Sequence, residues 1–221
     1  MDGIAERGAL ARCDGVLSGY MGGLDTGEAI LRSVAKVRAA NGKAVYCCDP
    51  VIGDVGRGVF VRPGIPEFFK SRVLPHADIV TPNQFELDFL AGGASDTLAT
   101  ARAGIARIHA LGPRIVMVTS LVTADTPPDA IDIAASDGGS LWRLRTPRLD
   151  IAVNGAGDAI AALFFVHWLA TRSAPEALAR AGSSIHGLLR RTAEAGSREI
   201  LTIAAQEEFV RPSQRFEAEK I

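Results

Sequence analysis

Short apolar segments of strand length alternate with longer segments of helical periodicity along most of the chain. The strand-like segments are too apolar to keep one face in water, which favours a parallel sheet covered by helices on both sides. The sequence therefore predicts a three-layer αβα fold with a mostly parallel central sheet. The predicted strands are 14–18, 43–48, 78–81 and 114–119, and the predicted helices are 26–40, 64–74, 83–91, 97–110, 157–171 and 175 to about 195.

A later pair of strand-like segments, 131–135 and 140–144, flanks the dipeptide Gly138-Gly139. Two short strands around a glycine turn are typical of a β-hairpin. The chain shows no linker composition, low-complexity tract or internal repeat. We therefore expect residues 1–221 to form a single domain.

Composition excludes several classes of partner and site. The net charge is -1 and the basic residues are scattered, so neither nucleic acid nor a membrane is expected. The three cysteines form neither a disulfide framework nor a metal-binding pattern, and they suit a reducing cytoplasm. The four histidines lack ligand spacing. No segment has the roughly 20 apolar residues of a membrane span, and the N-terminus lacks the apolar core of a signal peptide.

Polar side chains follow one predicted strand after another. In open α/β sheets, ligands bind beyond the carboxyl ends of the strands, so these residues are candidates for a site. Each could instead serve only as a turn former. The strand ends are Ser18-Gly19-Tyr20, Asp49-Pro50, Thr81-Pro82-Asn83 and Thr119-Ser120.

The segment Gly155-Ala156-Gly157-Asp158 precedes an unbroken apolar run that is predicted to be helical. Glycines permit a tight turn, and the N–H groups at a helix start attract phosphate oxygens. Asp158 could accept the proton of an alcohol that attacks a phosphate. The segment could also be an ordinary turn with an acidic first-turn residue. Walker, protein-kinase and dinucleotide motifs are absent.

Three further polar residues carry two interpretations each. Asp49 could bind Mg²⁺ directly or through water, or it could only form the turn. Asn83 and Glu86 lie three residues apart at a helix start, on one face towards the carboxyl edge. The same spacing is that of an N-cap with a capping-box glutamate.

Two segments near these residues could contact a ligand. The glycine-rich segment 53–64 could be a mobile flap that brings Arg57 to a phosphate, or an ordinary exposed loop. Tyr20 could stack on an aromatic substrate or simply pack at a strand end.

Taken together, the segments resemble the ribokinase-like superfamily of small-molecule kinases and, within it, the pyridoxal kinases. The resemblance covers essentially the whole chain. The Gly-x-Gly-Asp turn marks the superfamily, and the Ser-Gly-Tyr, Cys-Asp-Pro-Val and Thr-Pro-Asn-x-x-Glu segments are similar to pyridoxal kinases in particular. The matching segments are 13–22, 46–54, 76–92, 115–121 and 153–165.

The resemblance implies a ribokinase-like fold and MgATP-dependent phosphorylation of the 5′-hydroxymethyl group of pyridoxal. By position, Asp158 would be the catalytic base, and Gly155, Ala156 and Gly157 would form an anion hole. Asp49 and Glu86 would serve the magnesium–phosphate region, with Asn83 alongside.

The remaining roles are also implied by the resemblance. Tyr20 would lie near the pyridoxal ring, and the segment 53–64 would be the flap. The family implies homodimers and a monovalent cation such as K⁺. The nucleotide would contact Asp49, Asn83, Glu86, Thr81, Thr119, Ser120, Thr146, Pro147, Arg148 and Leu149.

The chain departs from the family pattern at its start, because Met1-Asp2-Gly3 enters that pattern midway. We therefore expect an N-terminally truncated ribokinase-like fold that lacks part of the substrate pocket. The stretch 146–153 is also short. Two alternatives remain open: a hydroxymethylpyrimidine kinase of the same superfamily, or a catalytically silent nucleotide-binding module.

Overall fold

The computed structural model describes residues 2–221, and its centre is one seven-stranded sheet. The strands occur in the order β1-β2-β5-β6-β7-β8-β9. The pairs from β1 to β6 are parallel, and the pairs from β6 to β9 are antiparallel. Five strands therefore run in one direction and two in the other, as the mostly parallel prediction requires. These strands are β1 Gly15–Ser18, β2 Val45–Cys48, β5 Ile79–Val80, β6 Ile115–Leu121, β7 Ala130–Ser136, β8 Leu141–Pro147 and β9 Glu219–Lys220.

Helices cover both faces of this sheet. Helices α2 to α5 pack on one face and α6 and α7 on the other. Most helices begin and end within two residues of the predicted bounds. The helices are α1 Asp2–Glu6, α2 Leu24–Ala40, α3 Ile65–Phe68, α4 Gln84–Ala91, α5 Leu98–Ala110, α6 Ala156–Thr171, α7 Ala174–Glu194 and α8 Glu207–Val210. Among residues 2–221, no helix has the length and apolarity to cross a membrane.

Strand β2 contributes to both hydrophobic layers because successive side chains of a strand point to opposite faces. Tyr46 and Cys48 lie in the layer beneath α2 to α5, whereas Val45 and Cys47 lie in the layer beneath α6 and α7. All four side chains are buried. The continuous apolar run that predicted a doubly covered strand therefore has that role in the fold.

Several regions differ from the sequence-based prediction, and the short helices α1 and α8 are among the elements that were not predicted. The helix predicted over 64–74 is α3 followed by a π-helical turn and a 3₁₀ turn, and Pro75 lies within the last of these. The segment 53–64 contains a small antiparallel hairpin, β3 Gly53–Asp54 and β4 Gly58–Val59. Strand β9 was not predicted, because two exposed charged residues carry no strand pattern.

Gly15 provides a test of the packing between β1 and α6. A Cβ atom at this position would lie 2.5 Å from Phe165 Cζ and 2.7 Å from the carbonyl oxygen of Val45. We expect Gly15→Ala to lower the free energy of unfolding by about 1–3 kcal/mol through overpacking, seen as a lower midpoint of thermal unfolding. Gly42→Ala is the control, since a Cβ there meets nothing within 4 Å. Equal midpoints for the two variants would contradict this account of the packing.

Candidate active site

The fold brings the polar residues after β2, β5 and β6 to one edge of the sheet. Asp49 follows β2, Thr81 follows β5, and Thr119 lies near the end of β6. Thr119 N–H donates to the carbonyl oxygen of Pro82 at 2.9 Å, and Asn83 forms a parallel bridge with Thr119. Side chains that are tens of residues apart in sequence therefore lie at one edge of the sheet.

Asp49 is a buried carboxylate with one hydrogen-bond partner. Thr81 Oγ1 donates to Asp49 Oδ1 at 3.0 Å, and both side chains are buried. Burial raises the pKa of Asp49 to about 7, helped by the negative charge of Asp158, whereas the Thr81 hydroxyl opposes the shift. The site thus holds negative charge where solvent cannot stabilise it.

Glu86 connects the start of α4 to the loop after β2. Its Oε2 accepts from Asn83 N–H at 2.9 Å, and Asn83 Oδ1 accepts from Glu86 N–H at 2.9 Å. This pair is the capping box that the spacing predicted. Glu86 Oε1 also accepts from Ile52 N–H at 2.8 Å. The capping interpretation is therefore confirmed, and the same carboxylate fixes a second segment as well.

The surroundings of Glu86 shift the pKa of its carboxyl group. Burial raises the pKa of Glu86 to about 8, opposed by the backbone donors of Ile52 and Asn83 and supported by the charge of Asp49. The Asn83 amide is fully engaged too, since its Nδ2 donates to the Gly53 carbonyl at 2.8 Å. Glu86 and Asn83 together anchor the base of the 53–64 segment.

The turn before α6 has the geometry predicted for it. Gly155 is the N-cap residue with φ of 87°, a left-handed conformation that glycine adopts at low cost. Among residues 2–221, no side chain caps this helix. The first N–H groups of a helix have no intrahelical partner, so they are free to receive an anion. Ala156 and Gly157 supply two of these groups.

Asp158 lies in the first turn of α6 and faces the end of β1. A Cβ atom added to Gly19 would lie 3.5 Å from Asp158 Oδ1, so glycine leaves room beside this carboxylate. The Asp158 charge also contributes to the raised pKa of Asp49. Asp158 is exposed, whereas Asp49 is buried. Two carboxylates with different environments therefore border the same space.

Two features of the site were not foreseen from sequence. Asn154 forms a parallel bridge with Glu199, and a Cβ at Gly155 would lie 3.3 Å from Ile200 Cδ1. The segment after α7 thus supports the turn from behind, although no local pattern indicates this. Ser18 Oγ and the Tyr46 hydroxyl also share a hydrogen bond of 2.8 Å beneath Gly19.

The other predicted nucleotide contacts, those from Thr119 onwards, lie around the ends of β6 and β8. The register of β6 against β7 shifts between Val118 and Leu121, and Ser120 has φ of 52°. A left-handed serine at a strand end is backbone strain that often accompanies function. Strand β8 ends at the same edge, and Arg148 N–H there donates to the Asp129 carbonyl at 2.7 Å.

The exposure of the side chains differs along the segment 146–149. Thr146 is buried and pairs with Ile131 in the sheet, whereas Pro147 and Arg148 are exposed. Leu149 is half-buried.

Tyr20 follows the carboxyl end of β1, and the hairpin of the 53–64 segment follows the carboxyl end of β2. Tyr20 is 57% exposed, so its ring is available for contact with a ligand. Arg57 lies over the Phe60 ring, with Cζ 5.2 Å from the ring centroid. The base of the hairpin is joined to the start of α4, since Asn83 Nδ2 donates to the Gly53 carbonyl and Glu86 Oε1 accepts from Ile52 N–H.

The donor set suits a hard cation with few protein ligands. Asp49 Oδ2 accepts no hydrogen bond from the described residues, and a cation bound there would offset the burial that raises the pKa of Asp49. Glu86 uses both oxygens for backbone donors, which leaves it an outer role through water. Among residues 2–221, no group of three or more acidic, histidine or cysteine side chains could hold a metal. Mg²⁺, which keeps several waters and binds substrate phosphates, fits such a site.

The fold and the site together define a small-molecule kinase. The profile of the phosphomethylpyrimidine kinase family matches residues 19–202, which is most of the chain, so the chain belongs to that family. The sheet, with helices on both faces, also matches solved pyridoxal kinases. One of these, pyridoxal kinase from Leishmania donovani in complex with ADP and pyridoxamine, has a TM-score of 0.85 and 27% identity, over 100% of this chain and 79% of that one.

Sequence relatives narrow the assignment. The chain is 57% identical to pyridoxal kinase PdxY of Granulibacter bethesdensis, over 99% of this chain and 78% of that protein. It is 50% identical to pyridoxal kinase PdxY of Deinococcus radiodurans, over 100% of this chain and 76% of that protein. Within its family, the chain therefore belongs to the pyridoxal kinases.

The burial of Asp49 predicts a pH-dependent cost to stability. Because the folded chain binds the Asp49 proton more tightly than the unfolded chain, the folded state loses stability as the pH rises from about 4 to about 7. In EDTA without nucleotide, we expect Asp49→Asn to raise the free energy of unfolding at pH 8 by on the order of 2 kcal/mol. The gain should shrink towards zero at pH 4, where Asp49 is protonated in the folded chain.

Denaturant unfolding at the two pH values measures this difference, with Asp150→Asn as the control. Asp150 is exposed and forms no hydrogen bond or ion pair with the described residues, so its variant should follow the wild type. An Asp49→Asn variant less stable than the wild type at pH 8 would refute the buried-charge interpretation.

Proposed function

We propose that this chain transfers the γ-phosphoryl group of ATP to the 5′-hydroxymethyl group of pyridoxal, giving pyridoxal 5′-phosphate and ADP. The observation that carries the proposal is the position of Asp158, in the uncapped first turn of α6 beside Gly19 and within electrostatic reach of Asp49. The identity to pyridoxal kinases supports the choice of substrate.

Asp158 would act as the base. The substrate oxygen forms a bond to the γ-phosphorus as the bond to the β–γ bridging oxygen breaks, and the hydroxyl proton passes to the Asp158 carboxylate. Such transition states are loose, so proton transfer comes late and an ordinary carboxylate suffices. The exposure of Asp158 supports this role, because a substrate hydroxyl can reach the carboxylate.

The turn of Gly155, Ala156 and Gly157 would receive the transferred phosphoryl group. Its backbone donors are directed at the start of α6, where the helix dipole also favours negative charge. Ile200, packed behind Gly155, would keep these donors in place during the reaction. The protein would then stabilise the phosphoryl group with fixed backbone dipoles rather than with flexible cationic side chains.

The cation requirement would be met by Mg²⁺, which neutralises charge on the phosphates when bound. Asp49 would hold it, directly or through water, and Glu86 would act through water. Thr81 orients the Asp49 carboxylate for this purpose. From the resemblance to the family, we also propose that the chain uses a monovalent cation such as K⁺.

The nucleotide would lie across the ends of β6 and β8. Thr119, Ser120 and the segment 146–149 border this region, with Thr81 and Asn83 next to the phosphates. Tyr20 would pack on the pyridoxal ring, and the 53–64 hairpin would cover the site. We further propose that residues 1–221 act as one kinase domain, that the chain works as a homodimer, and that it acts in the cytoplasm.

Replacement of Asp158 tests the base directly. We expect Asp158→Asn to lower kcat for pyridoxal by about 10²–10⁴-fold, because the base is needed in the transition state. The affinity for ATP should stay within about threefold, since the base is not needed for ground-state binding. Steady-state kinetics and calorimetry measure the two effects.

Glu207→Gln is the matched control, because Glu207 is also an exposed first-turn carboxylate but belongs to α8. It should leave kcat unchanged. Full activity of Asp158→Asn would remove Asp158 from the mechanism.

A comparison of two alcohols tests the substrate. The name of the matching family raises hydroxymethylpyrimidine as the alternative. We expect ADP release with pyridoxal to exceed that with hydroxymethylpyrimidine by at least about tenfold in kcat/KM, the range that pocket complementarity supplies. A coupled assay measures both rates. Faster release with the pyrimidine would reassign the substrate, and ATP binding with no release for either alcohol would indicate a silent nucleotide-binding module.

A further inference from the structure

A second cavity, of about 640 Å³, lies at the opposite edge of the sheet from the proposed active site. Its walls include Val45 and Ile115, the first residues of β2 and β6, and Asp78, which immediately precedes β5. Because these strands are parallel, their amino ends lie a full strand length from Asp49 and Thr119. The cavity is therefore separate from the proposed active site.

Basic side chains are the majority of the charged residues that line this amino-edge cavity. Four are Lys or Arg, and His76 adds an imidazole, whereas Asp78 is the one acidic residue. This bias is notable in a chain whose net charge is -1. The permanent cations are Arg38, Lys43, Arg114 and Arg172.

Only one of these cations is neutralised by the lining. Arg38 Nη2 donates to Asp78 Oδ2 at 2.6 Å, and the same oxygen accepts from Tyr46 N–H at 2.8 Å. The Asp78 carboxylate thus already accepts two hydrogen bonds, from Arg38 and from Tyr46 N–H. Lys43, Arg114 and Arg172 form no ion pair within residues 2–221.

The unpaired cations are attached to well-anchored backbone. Arg114 N–H donates to the Asp78 carbonyl at 2.9 Å, and Lys43 N–H donates to Asn41 Oδ1 at 3.0 Å. Arg172 ends α6 in a left-handed conformation with φ of 55°, and its guanidinium lies 4.7 Å from the centroid of the Trp168 ring. The three side chains are exposed, and they border the cavity from backbone that is fixed in the fold.

We infer that the amino-edge cavity binds a small phosphate-bearing molecule with two or more negative charges. Its volume is that of a small-molecule site, and a concave wall excludes solvent better than a flat basic patch. Guanidinium groups match phosphate oxygens in pairs, and a cavity lined by one sign of charge concentrates ligands of the other. Trp168, Pro75 and Ile115 supply the apolar wall for the rest of the molecule.

Inorganic pyrophosphate is the probe for this site, in buffer free of metal and nucleotide. Amide NMR spectra of the labelled chain should show saturable shifts at Lys43, Arg114 and Arg172. Arg114→Glu should raise the Kd from these shifts by about tenfold or more, because a charge-assisted hydrogen bond is lost and a like charge is introduced. The same spectra show that the variant is folded.

Arg211→Glu is the matched control, since Arg211 is exposed on the segment after α8 and does not line this cavity. It should change the Kd by less than about twofold, as screening by salt weakens distant charges. An equal loss in the two variants, or shifts that never saturate, would overturn the inference.

The location of the shifts separates this site from the active site. Shifts confined to Gly155–Asp158 would support the proposed phosphoryl-binding turn and overturn the second site. Shifts confined to the amino-edge residues would support the second site and count against the proposed phosphoryl-binding turn. Binding of a single-stranded oligonucleotide, but not of pyrophosphate, at the amino-edge residues would replace the small-molecule assignment with a nucleic-acid surface.

Discussion

The geometry of the proposed active site depends on the hydrogen bonds of one buried carboxylate, that of Glu86. It accepts from the backbone of Ile52 on one side and of Asn83 on the other. The loop after β2 and the start of α4 are thus tied to the same side chain. Because Asp49 precedes the first of these segments and Thr81 the second, their mutual position follows from this link. Asn83 adds a second link between them, because its Nδ2 donates to the Gly53 carbonyl.

The same region concentrates negative charge away from water. Asp49 and Glu86 both have raised pKa values because burial disfavours their charged forms, and Asp158 adds to the effect at Asp49. Such an arrangement costs stability in the free protein and is worthwhile where a cation and a phosphorylated ligand share the site. Stability and binding are therefore opposed at these residues, as is common where charge is gathered for function.

Much of the fold follows from local sequence patterns. Apolar runs such as 114–119 and helical spacing such as 97–110 carry information about both burial and period, and both elements formed close to their predicted bounds. The capping box of Asn83 and Glu86 and the glycine turn at Gly155 are also local, and they were readable for that reason. The assignment of chemistry to Asp158 rests on that same local motif.

The remaining features depend on contacts between distant segments, which a single sequence does not reveal. Ile200 supports Gly155, and Ile52 donates to Glu86, yet neither residue has a distinctive neighbourhood in the sequence. Strand β9 forms because its backbone pairs with β8, not because Glu219 and Lys220 favour a strand. The left-handed Ser120 likewise accompanies a register shift between β6 and β7, and no turn-forming residue in the sequence predicts that shift.

The adjacent cysteines of β2 carry a consequence for how this molecule opens. Cys47 and Cys48 lie in different hydrophobic layers, and burial raises the pKa of Cys48 to about 12 and that of Cys47 in the same direction. Neither thiol reacts while its layer is closed, since the thiolate is the reactive form. Two neighbouring sulfur atoms therefore report separately on loosening of the two helical layers, so alkylation rates would reveal which layer separates first.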